Sequence, residues 1–353
     1  MVTAAVAGPV RIAPQALTAF ATALLARAGF APAQAAEMAD LLVWANWRGI
    51  ESHGVLRIPR YIEMLQTGEV NAQAQLTMRQ SRGAVCVLDA DRAPGATAMN
   101  RAVQLAAERA AQCGIGWCSV RQMSHAGAIG YFVQQLAAQG KLGIAMTASK
   151  PLMAYFGAQG EALSSNPLAI GVPMPPGHDA MILDMSTAAV ALGKVLAAKD
   201  ANRPIPEGWG VDAAGASTTD PAKVVALLPM AGAKGSGLSL MIEVLCSLLV
   251  GNPNIAPALS GDGPNGFNGM VLAIEPAAFG DASTFLAQAG ALATAIHGLA
   301  PAPGHDQVLL PGERGHRVQV ERTRLGIPVA AGTQKSLLAQ ARALGVAPPD
   351  GWV

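Results

Sequence analysis

The sequence is short of charged residues. Asp, Glu, Lys and Arg make up 13% of the 353 residues and leave a net charge of +1, whereas soluble proteins usually carry about twice that share of charge. A nearly neutral chain with no basic run lacks the electrostatic footprint of a nucleic-acid-binding protein. Apolar residues reach 51%. A surface this poor in charge favours an oligomer in which part of it is covered.

Long apolar runs and a basic leader segment are also missing. The most apolar stretch, residues 238–250, contains Glu243 and is too short to span a bilayer, so it predicts a buried helix. The first ten residues lack the basic start of a signal peptide. The four cysteines form no CxxC pair, so we expect buried free thiols in a reducing cytoplasm. They are Cys86, Cys113, Cys118 and Cys246. No His, Asp and Glu set has metal-ligand spacing, and we expect no metal.

The hydrophobic periodicity changes from purely helical to mixed along the chain. Helical spacing over 14–28, 32–47 and 60–67 predicts a small helical unit at the start. Beyond it, short β-runs and helices follow each other without a regular βαβ repeat, which predicts an α+β or mixed α/β fold with helices on a central sheet. The strands are predicted over 84–88, 116–120, 142–147, 168–172, 180–185 and 270–274. The helices are predicted over 96–112, 129–139, 188–198, 237–250, 283–297 and 334–344, the last capped by Thr333.

Two serine–histidine motifs stand out because the chain has only six histidines. The first, Glu-Ser-His-Gly-Val-Leu-Arg, covers residues 51–57, and the second, Met-Ser-His-Ala-Gly-Ala-Ile-Gly, covers residues 123–130. Histidine exchanges protons near neutral pH. His125 lies between a predicted strand and a predicted helix, where sheet proteins often place catalytic groups. A purely structural hydrogen-bonding role for it is equally open.

The first motif carries groups that suit a carboxylate. Arg57 is able to grip a carboxylate through two hydrogen bonds, and Tyr61 is able to add a third. The alternative is a surface loop with ordinary salt bridges. Together the two motifs indicate a proton-transfer site for a small acidic substrate.

The usual dinucleotide fingerprint is absent, but two segments suit nucleotide groups. Residues 232–237, Gly-Ala-Lys-Gly-Ser-Gly, place Lys234 and backbone N–H groups at the start of a predicted helix, a geometry that binds anions; a plain glycine turn is the alternative. Asp184 ends an apolar strand and could bind ribose hydroxyls or orient a histidine. Alternatively, Asp184 caps the helix predicted from residue 188, a role that Ser186 and Thr187 also suit.

Ordered motifs along nearly the whole chain resemble the type-2 malate/L-lactate dehydrogenase family. They are Ser52-His53-Gly54 with Arg57 and Tyr61, Ser124-His125-Ala126-Gly127, Asn166-Pro167-Leu168-Ala169, Leu183-Asp184-Met185-Ser186, Gly193-Lys194, Ile205-Pro206-Glu207-Gly208-Trp209, Thr218-Thr219-Asp220-Pro221, Lys234-Gly235-Ser236-Gly237-Leu238 and Leu310-Pro311-Gly312-Glu313. One departure is Ser164-Ser165, where the family usually has Gly-Thr before Asn-Pro.

The resemblance implies a homodimeric NAD(P)-dependent oxidoreductase without a Rossmann fold, built on a mixed, largely antiparallel sheet. It further implies a helical substrate-side domain, residues 1–75 joined by 315–353, and a cofactor domain, residues 76–314. By the same resemblance His125 is the catalytic acid/base, with His53 hydrogen-bonding the substrate or sharing the proton work. Substrate-side positions are Ser52, His53, Arg57 and Tyr61. Cofactor positions are Ser149, Asp184, Met185, Ser186, Lys234, Gly312, Glu313 and Arg314.

Within the family, residues 124–135 and 307–312 are most similar to the ureidoglycolate dehydrogenases, which favours NAD, with NADP as the alternative. The reaction implied is hydride transfer at C2 of a small 2-hydroxy or 2-oxo acid, ureidoglycolate-like or malate/lactate-like. Two other functions stay open. One is reduction of cyclic imino acids such as pyrroline-2-carboxylate and piperideine-2-carboxylate. The other is a non-catalytic nucleotide-binding protein on the same fold.

Overall fold

A helical unit and a sheet unit make up the fold. The computed structural model describes residues 10–263 and 265–352, of which 10–73 and 314–352 form the helical unit and 74–263 and 265–313 the sheet unit. The helices are α1 (Pro14–Ala28), α2 (Pro32–Trp47), α3 (Ile58–Gln66), α4 (Gly95–Cys113), α5 (Gly130–Ala138), α6 (Leu192–Asp200), α7 (Ala233–Glu243), α8 (Ile255–Ser260), α9 (Ala282–His297), α10 (Glu313–Leu325) and α11 (Ala331–Leu344). The strands are β1 (Val10–Ile12), β2 (Thr77–Arg82), β3 (Val85–Asp89), β4 (Ile115–Met123), β5 (Leu142–Ala148), β6 (Leu168–Val172), β7 (Met181–Met185), β8 (Gly210–Val211), β9 (Ala226–Leu227), β10 (Phe267–Ile274) and β11 (Ile327–Val329).

The helical unit is built from both ends of the chain. Proline starts α1 and α2 because its fixed φ suits the first helical position, and Gly29 ends α1 with a left-handed φ of 117°. Strand β1 pairs with β11, and α11 packs against α1 and α3, so the C-terminal segment completes this core. Helix α11 begins at Ala331, which places Thr333 inside the helix and makes the predicted Thr333 cap wrong.

The sheet unit centres on seven strands in the order β2-β3-β4-β10-β5-β6-β7. Only β3 and β4 run parallel, while the other neighbours are antiparallel. The prediction of a mixed, largely antiparallel sheet with helices is therefore confirmed. Helix α4 packs on β4 and β10, and α5 packs on β5 and β6, with Phe132 and Leu136 of α5 fully buried.

Several element boundaries differ from the predicted ones. Helix α7 begins at Ala233 rather than residue 237 and continues as a π-helical turn over Val244–Leu248. Helix α10 and strand β2 were not predicted, because neither has an apolar stripe: α10 has no buried residue and β2 is exposed throughout.

The cysteine prediction is right for three residues and wrong for one. All four thiols are free, and Cys86, Cys118 and Cys246 are buried, whereas Cys113 is exposed because it ends α4 at the surface. Among the helices described, none combines the length and apolarity that a membrane crossing requires.

Candidate functional site

The first serine–histidine motif forms a tight double turn in the helical unit. Two short 3-10 helices, Glu51–His53 and Val55–Arg57, lie between α2 and α3 with Gly54 between them. Asn46, buried in α2, accepts a 2.7 Å hydrogen bond from the Val55 N–H through Oδ1. A Cβ on Gly54 would overlap this amide, so the turn requires glycine here. Asn46 thus fixes the backbone of the motif.

The side chains of this motif contact one another directly. Ser52 Oγ lies 2.9 Å from His53 Nδ1, and Arg57 Nε donates to the Ser52 carbonyl oxygen at 2.8 Å. Burial, and then the positive charge of Arg57, lower the pKa of His53 to about 4, so its ring is neutral at pH 7. Burial also raises the pKa of Tyr61, which keeps its hydroxyl protonated. The four predicted substrate-side residues therefore lie in one segment.

Arg57, within this motif, and Arg60, just after it, differ in exposure and in ion-pair partners. Arg60 is exposed and forms ion pairs with Glu63 at 2.9 Å and Glu69 at 2.7 Å. Arg57 is partly buried and, among the ion pairs of residues 10–263 and 265–352, has no carboxylate partner. A partly buried guanidinium without a counter-ion suits a bound carboxylate. The structure thus distinguishes Arg57 from Arg60 as the carboxylate-binding candidate.

Helix α10 supports the motif from outside it. Arg322 donates to the Asn46 carbonyl oxygen and pairs with Glu51 at 2.6 Å. Arg48 donates to Gln319 at 3.0 Å. Sequence reasoning missed both Asn46 and Arg322. A buried asparagine inside the apolar part of α2 was the one available signal, whereas nothing local relates Arg322 to residues 46–51.

The second motif follows β4 in the sheet unit. Ser124 is buried, its N–H donates to the Ala93 carbonyl at 3.0 Å, and its Oγ accepts from the Gly95 N–H at 2.9 Å. A Cβ on Gly95 would overlap the His125 carbonyl oxygen. The start of α4 therefore packs directly on the backbone of Ser124 and His125.

The His125 ring is held in orientation but is partly exposed. The Gly127 N–H approaches Nδ1 at 3.3 Å, and the ring meets Phe267 edge-on, with centroids 5.7 Å apart and planes at 82°. A contact of 3.3 Å is a weak hydrogen bond. The contact with Gly127 helps to orient the ring.

Asp184 accepts a main-chain hydrogen bond at the start of α5. Its Oδ2 accepts from the Gly130 N–H at 2.9 Å, so this carboxylate lies at the N-terminus of α5, where the helix dipole favours negative charge. Helix α6 begins only at Leu192, so Asp184, Ser186 and Thr187 do not cap it, and that alternative is wrong. Because Gly130 ends the second motif, the bond joins Asp184 to the His125 segment. Met185 follows it, partly buried.

The start of α7 is a close-packed glycine turn. Lys234 lies exposed in the first helical turn, and a Cβ on Gly235 would overlap the Met230 carbonyl oxygen. Ser239 Oγ, in the same helix, donates to the Ser164 carbonyl at 2.7 Å. Ser149 Oγ lies 2.7 Å from Ser164 Oγ. Ser164, which stands where the family usually has glycine, thus supplies a hydroxyl that holds Ser149.

The remaining predicted cofactor positions lie at the end of the sheet unit and beyond it. Ser186 Oγ donates to the Ser165 carbonyl at 3.2 Å. The Ile182 N–H donates to the Pro311 carbonyl at 3.0 Å, which holds the turn that includes Gly312 beside β7. Glu313 pairs with His297 at 2.8 Å and also accepts from the Leu310 N–H at 2.9 Å. Arg314 belongs to the helical unit and is exposed in α10. No metal-binding group of three or more His, Cys, Asp or Glu occurs in the described part of the chain.

Comparisons with known proteins agree on one family. A family model described as malate/L-lactate dehydrogenase matches residues 12–338. Ureidoglycolate dehydrogenase (NAD(+)) from Escherichia coli O157:H7 is 36% identical over 321 residues, 90% of this chain and 92% of that protein. The solved malate dehydrogenase from Pyrococcus horikoshii OT3 is 26% identical with a TM-score of 0.88, covering 98% of this chain and 99% of that one.

A solved delta1-piperideine-2-carboxylate reductase from Pseudomonas syringae pvar. tomato is 27% identical with a TM-score of 0.83, covering 94% of this chain and 100% of that one. These matches extend over nearly the whole length of both partners, and the fold they share is the one described above. The chain belongs to the malate/L-lactate dehydrogenase family.

Proposed function

We propose that this chain transfers a hydride between a nicotinamide coenzyme and C2 of a small 2-hydroxy or 2-oxo acid, with ureidoglycolate, malate and lactate as the first candidates. The observation that carries the proposal is Arg57, a partly buried guanidinium without a carboxylate partner among the described residues, next to the neutral ring of His53. A substrate carboxylate supplies the missing negative charge and accepts two parallel N–H bonds.

The helical unit holds the substrate in this proposal. Arg57 grips the carboxylate and fixes the orientation of C2. His53 stays neutral at pH 7, so it hydrogen-bonds the substrate without adding a second positive charge. Ser52 orients the His53 ring through their 2.9 Å contact. The protonated Tyr61 donates a hydrogen bond to the substrate carboxylate.

His125 moves the proton. In oxidation the imidazole takes the proton of the substrate hydroxyl, and in reduction it returns a proton to the carbonyl oxygen. The edge contact with Phe267 and the weak Gly127 bond support this role, because they orient the ring. The hydrogen bond from the Gly95 N–H to Ser124 Oγ fixes the position of the residue before His125.

The sheet unit holds the coenzyme in this proposal. When bound, the nicotinamide supplies or accepts the hydride. The residues fit such a group: Lys234 adds a positive charge at the N-terminus of α7, which suits a phosphate. Ser149 and Asp184 offer a hydroxyl and a carboxylate for polar groups of the coenzyme. We assign NAD because the ureidoglycolate dehydrogenase relative is named for it, with NADP as the alternative.

A second candidate is reduction of a cyclic imino acid. The fold likeness to the piperideine-2-carboxylate reductase favours it. Arg57 would grip the same carboxylate, and His125 would protonate a nitrogen instead of an oxygen. The two candidates differ only in the atom opposite His125.

One panel tests these alternatives. The protein is assayed with ureidoglycolate, malate and lactate in the presence of NAD+ or NADP+, and with pyrroline-2-carboxylate and piperideine-2-carboxylate in the presence of NADH or NADPH, by the change in NAD(P)H absorbance. We expect turnover of a hydroxy acid with NAD+. Turnover of imines alone selects the second candidate. Tryptophan quenching by NADH without any turnover indicates the non-catalytic nucleotide-binding protein and contradicts both.

We also propose that the protein is a cytoplasmic homodimer. Free thiols support a location in the reducing cytoplasm.

A second copy of the chain is the proposed partner, because α7 and its π-helical extension form a continuous helix that exposes an apolar stripe at helical spacing. The chain also has little surface charge. The stripe consists of Met241, Val244, Leu248 and Leu249. Leu248→Arg should convert a dimer to a monomer in multi-angle light scattering, whereas Leu292→Arg, an exposed leucine on α9, should not. A wild-type monomer refutes the dimer.

A further inference from the structure

A buried polar cluster lies beside the strand end that leads to His125. Its members, each at most 4% exposed, are Glu243, Ser247, Asn252, Asn254 and Asn268. Burying so many polar groups is costly unless they are hydrogen-bonded. The cluster joins α7 and its π-helical turn to strand β10, and none of its members belongs to the motifs of the proposed site.

Asn268 uses its whole hydrogen-bonding capacity. Its Nδ2 donates to Ser247 Oγ at 3.0 Å and to the Asn252 carbonyl at 2.8 Å. Its Oδ1 accepts from Asn252 Nδ2 at 2.8 Å and from the backbone N–H of Gln122 at 3.1 Å. An amide side chain has two donors and two principal acceptor sites, so Asn268 is fully satisfied and held in one orientation.

The bond to Gln122 lies at an irregularity of the sheet. Strand β10 pairs Gly269 with Val120 but Phe267 with Met123, so two residues of β4 face the single residue Asn268. This two-against-one count defines a β-bulge. Gln122 has a left-handed φ of 55°, which residues other than glycine adopt only when their surroundings hold them there. The Asn268 side chain accepts the Gln122 N–H at this point.

The bulge sets the direction in which the chain continues after Gln122, from Met123 to His125. Phe267, the neighbour of Asn268 in β10, pairs with Met123 and meets the His125 ring edge-on. From the other side, the start of α4 packs against Ser124 and His125. The segment that leads to His125 is therefore held by α4 at Ser124 and by β10 at Gln122, through Asn268.

We propose that Asn268 is a positioning residue for His125: it holds the left-handed turn at Gln122 and thereby places the imidazole for proton transfer. This proposal rests on the proposed function of His125. Asn268 touches neither substrate nor coenzyme in this scheme. Its effect is on the rate of the chemical step rather than on binding, because a misplaced proton donor slows reaction without weakening the coenzyme site.

The test compares Asn268→Ala with Asn268→Asp and with Ser247→Ala. The alanine variant removes all four bonds, the aspartate variant keeps an acceptor for the Gln122 N–H, and Ser247→Ala breaks the same cluster without touching Gln122. We expect Asn268→Ala to lower kcat by about 10- to 100-fold while the NADH dissociation constant changes less than about 2-fold. Asn268→Asp should recover part of this loss, and Ser247→Ala should lower Tm with kcat within about 3-fold of wild type. If the alanine variant does not fold, Asn268→Ser replaces it. The serine side chain is one covalent bond shorter than that of asparagine, so its hydroxyl does not reach the Gln122 N–H.

Hydrogen exchange at the Gln122 amide separates this proposal from the proposed function. Exchange there should accelerate in Asn268→Ala and stay slow in Asn268→Asp and Ser247→Ala. Unchanged exchange or an unchanged kcat in Asn268→Ala overturns the positioning role, as does an equal loss of kcat in Ser247→Ala. A wild-type protein that turns over no acid or imine refutes the proposed function instead, and the exchange comparison still decides whether Asn268 holds the turn.

Discussion

The low pKa of His53 predicts a pH-dependent contribution to stability that one substitution removes. Burial and the charge of Arg57 lower this pKa from 6.5 to about 4. Between these values the unfolded chain binds a proton that the folded protein does not. The contribution is therefore fully present above pH 6.5 and is lost as the pH falls through 4. The whole shift corresponds to about 3 kcal/mol, because each pKa unit is worth roughly 1.4 kcal/mol.

Partial exposure of the ring reduces this value through solvent screening, so we expect roughly 2 kcal/mol. The variant is His53→Gln, which keeps a polar group near Ser52 and cannot take up a proton in this range. Urea unfolding at about pH 7 and about pH 4.5 gives the free energy of unfolding for both proteins. The wild type should lose roughly 2 kcal/mol more than His53→Gln between these two conditions.

His178→Gln is the matched control, because His178 is exposed in a loop of the sheet unit. It should lose stability on acidification as the wild type does. An equal acid-induced loss in the wild type and His53→Gln would falsify the reasoning. So would an NMR titration of the His53 ring with an ordinary histidine midpoint, because burial beside Arg57 would then not disfavour the imidazolium.

Three further predictions concern the proposed site. Arg57→Lys should raise KM for the acid by at least about 10-fold, since lysine cannot form two parallel bonds to a carboxylate, while Arg60→Lys should leave KM unchanged; steady-state kinetics of both variants decides. His125→Ala should abolish turnover yet keep NADH binding, measured by tryptophan quenching, and substantial residual turnover removes it from the proton-transfer role. Gly235→Ala should weaken NADH binding and lower Tm, because the added Cβ overlaps a main-chain carbonyl. Gly237→Ala, whose added Cβ meets no atom within 4 Å, should leave NADH binding unchanged and should not lower Tm, since alanine suits a helix better than glycine. Equal effects of the two glycine substitutions on NADH binding and Tm refute the packing argument.

The sequence by itself determined the local elements and the identity of the motif residues. Apolar periodicity, Pro14 and Gly29 mark α1, and the strand over Leu168–Val172 has the predicted bounds, because these depend on side-chain spacing and local backbone preferences. The two serine–histidine motifs were also visible from sequence, and their roles remain predictions. Helix α10 was not visible, since its polar surface carries no periodic apolar signal.

The tertiary structure alone decided which groups meet. It showed that Glu63 and Glu69 already occupy Arg60, that Asp184 accepts from Gly130 across 54 residues of sequence, and that Asn268 holds Gln122 across 146. Hydrogen bonds between distant segments depend on strand order and register, which arise only when the whole core packs. A local pattern can name a titratable or charged residue, but its partner, and hence its chemistry, is set by the chain that folds back against it.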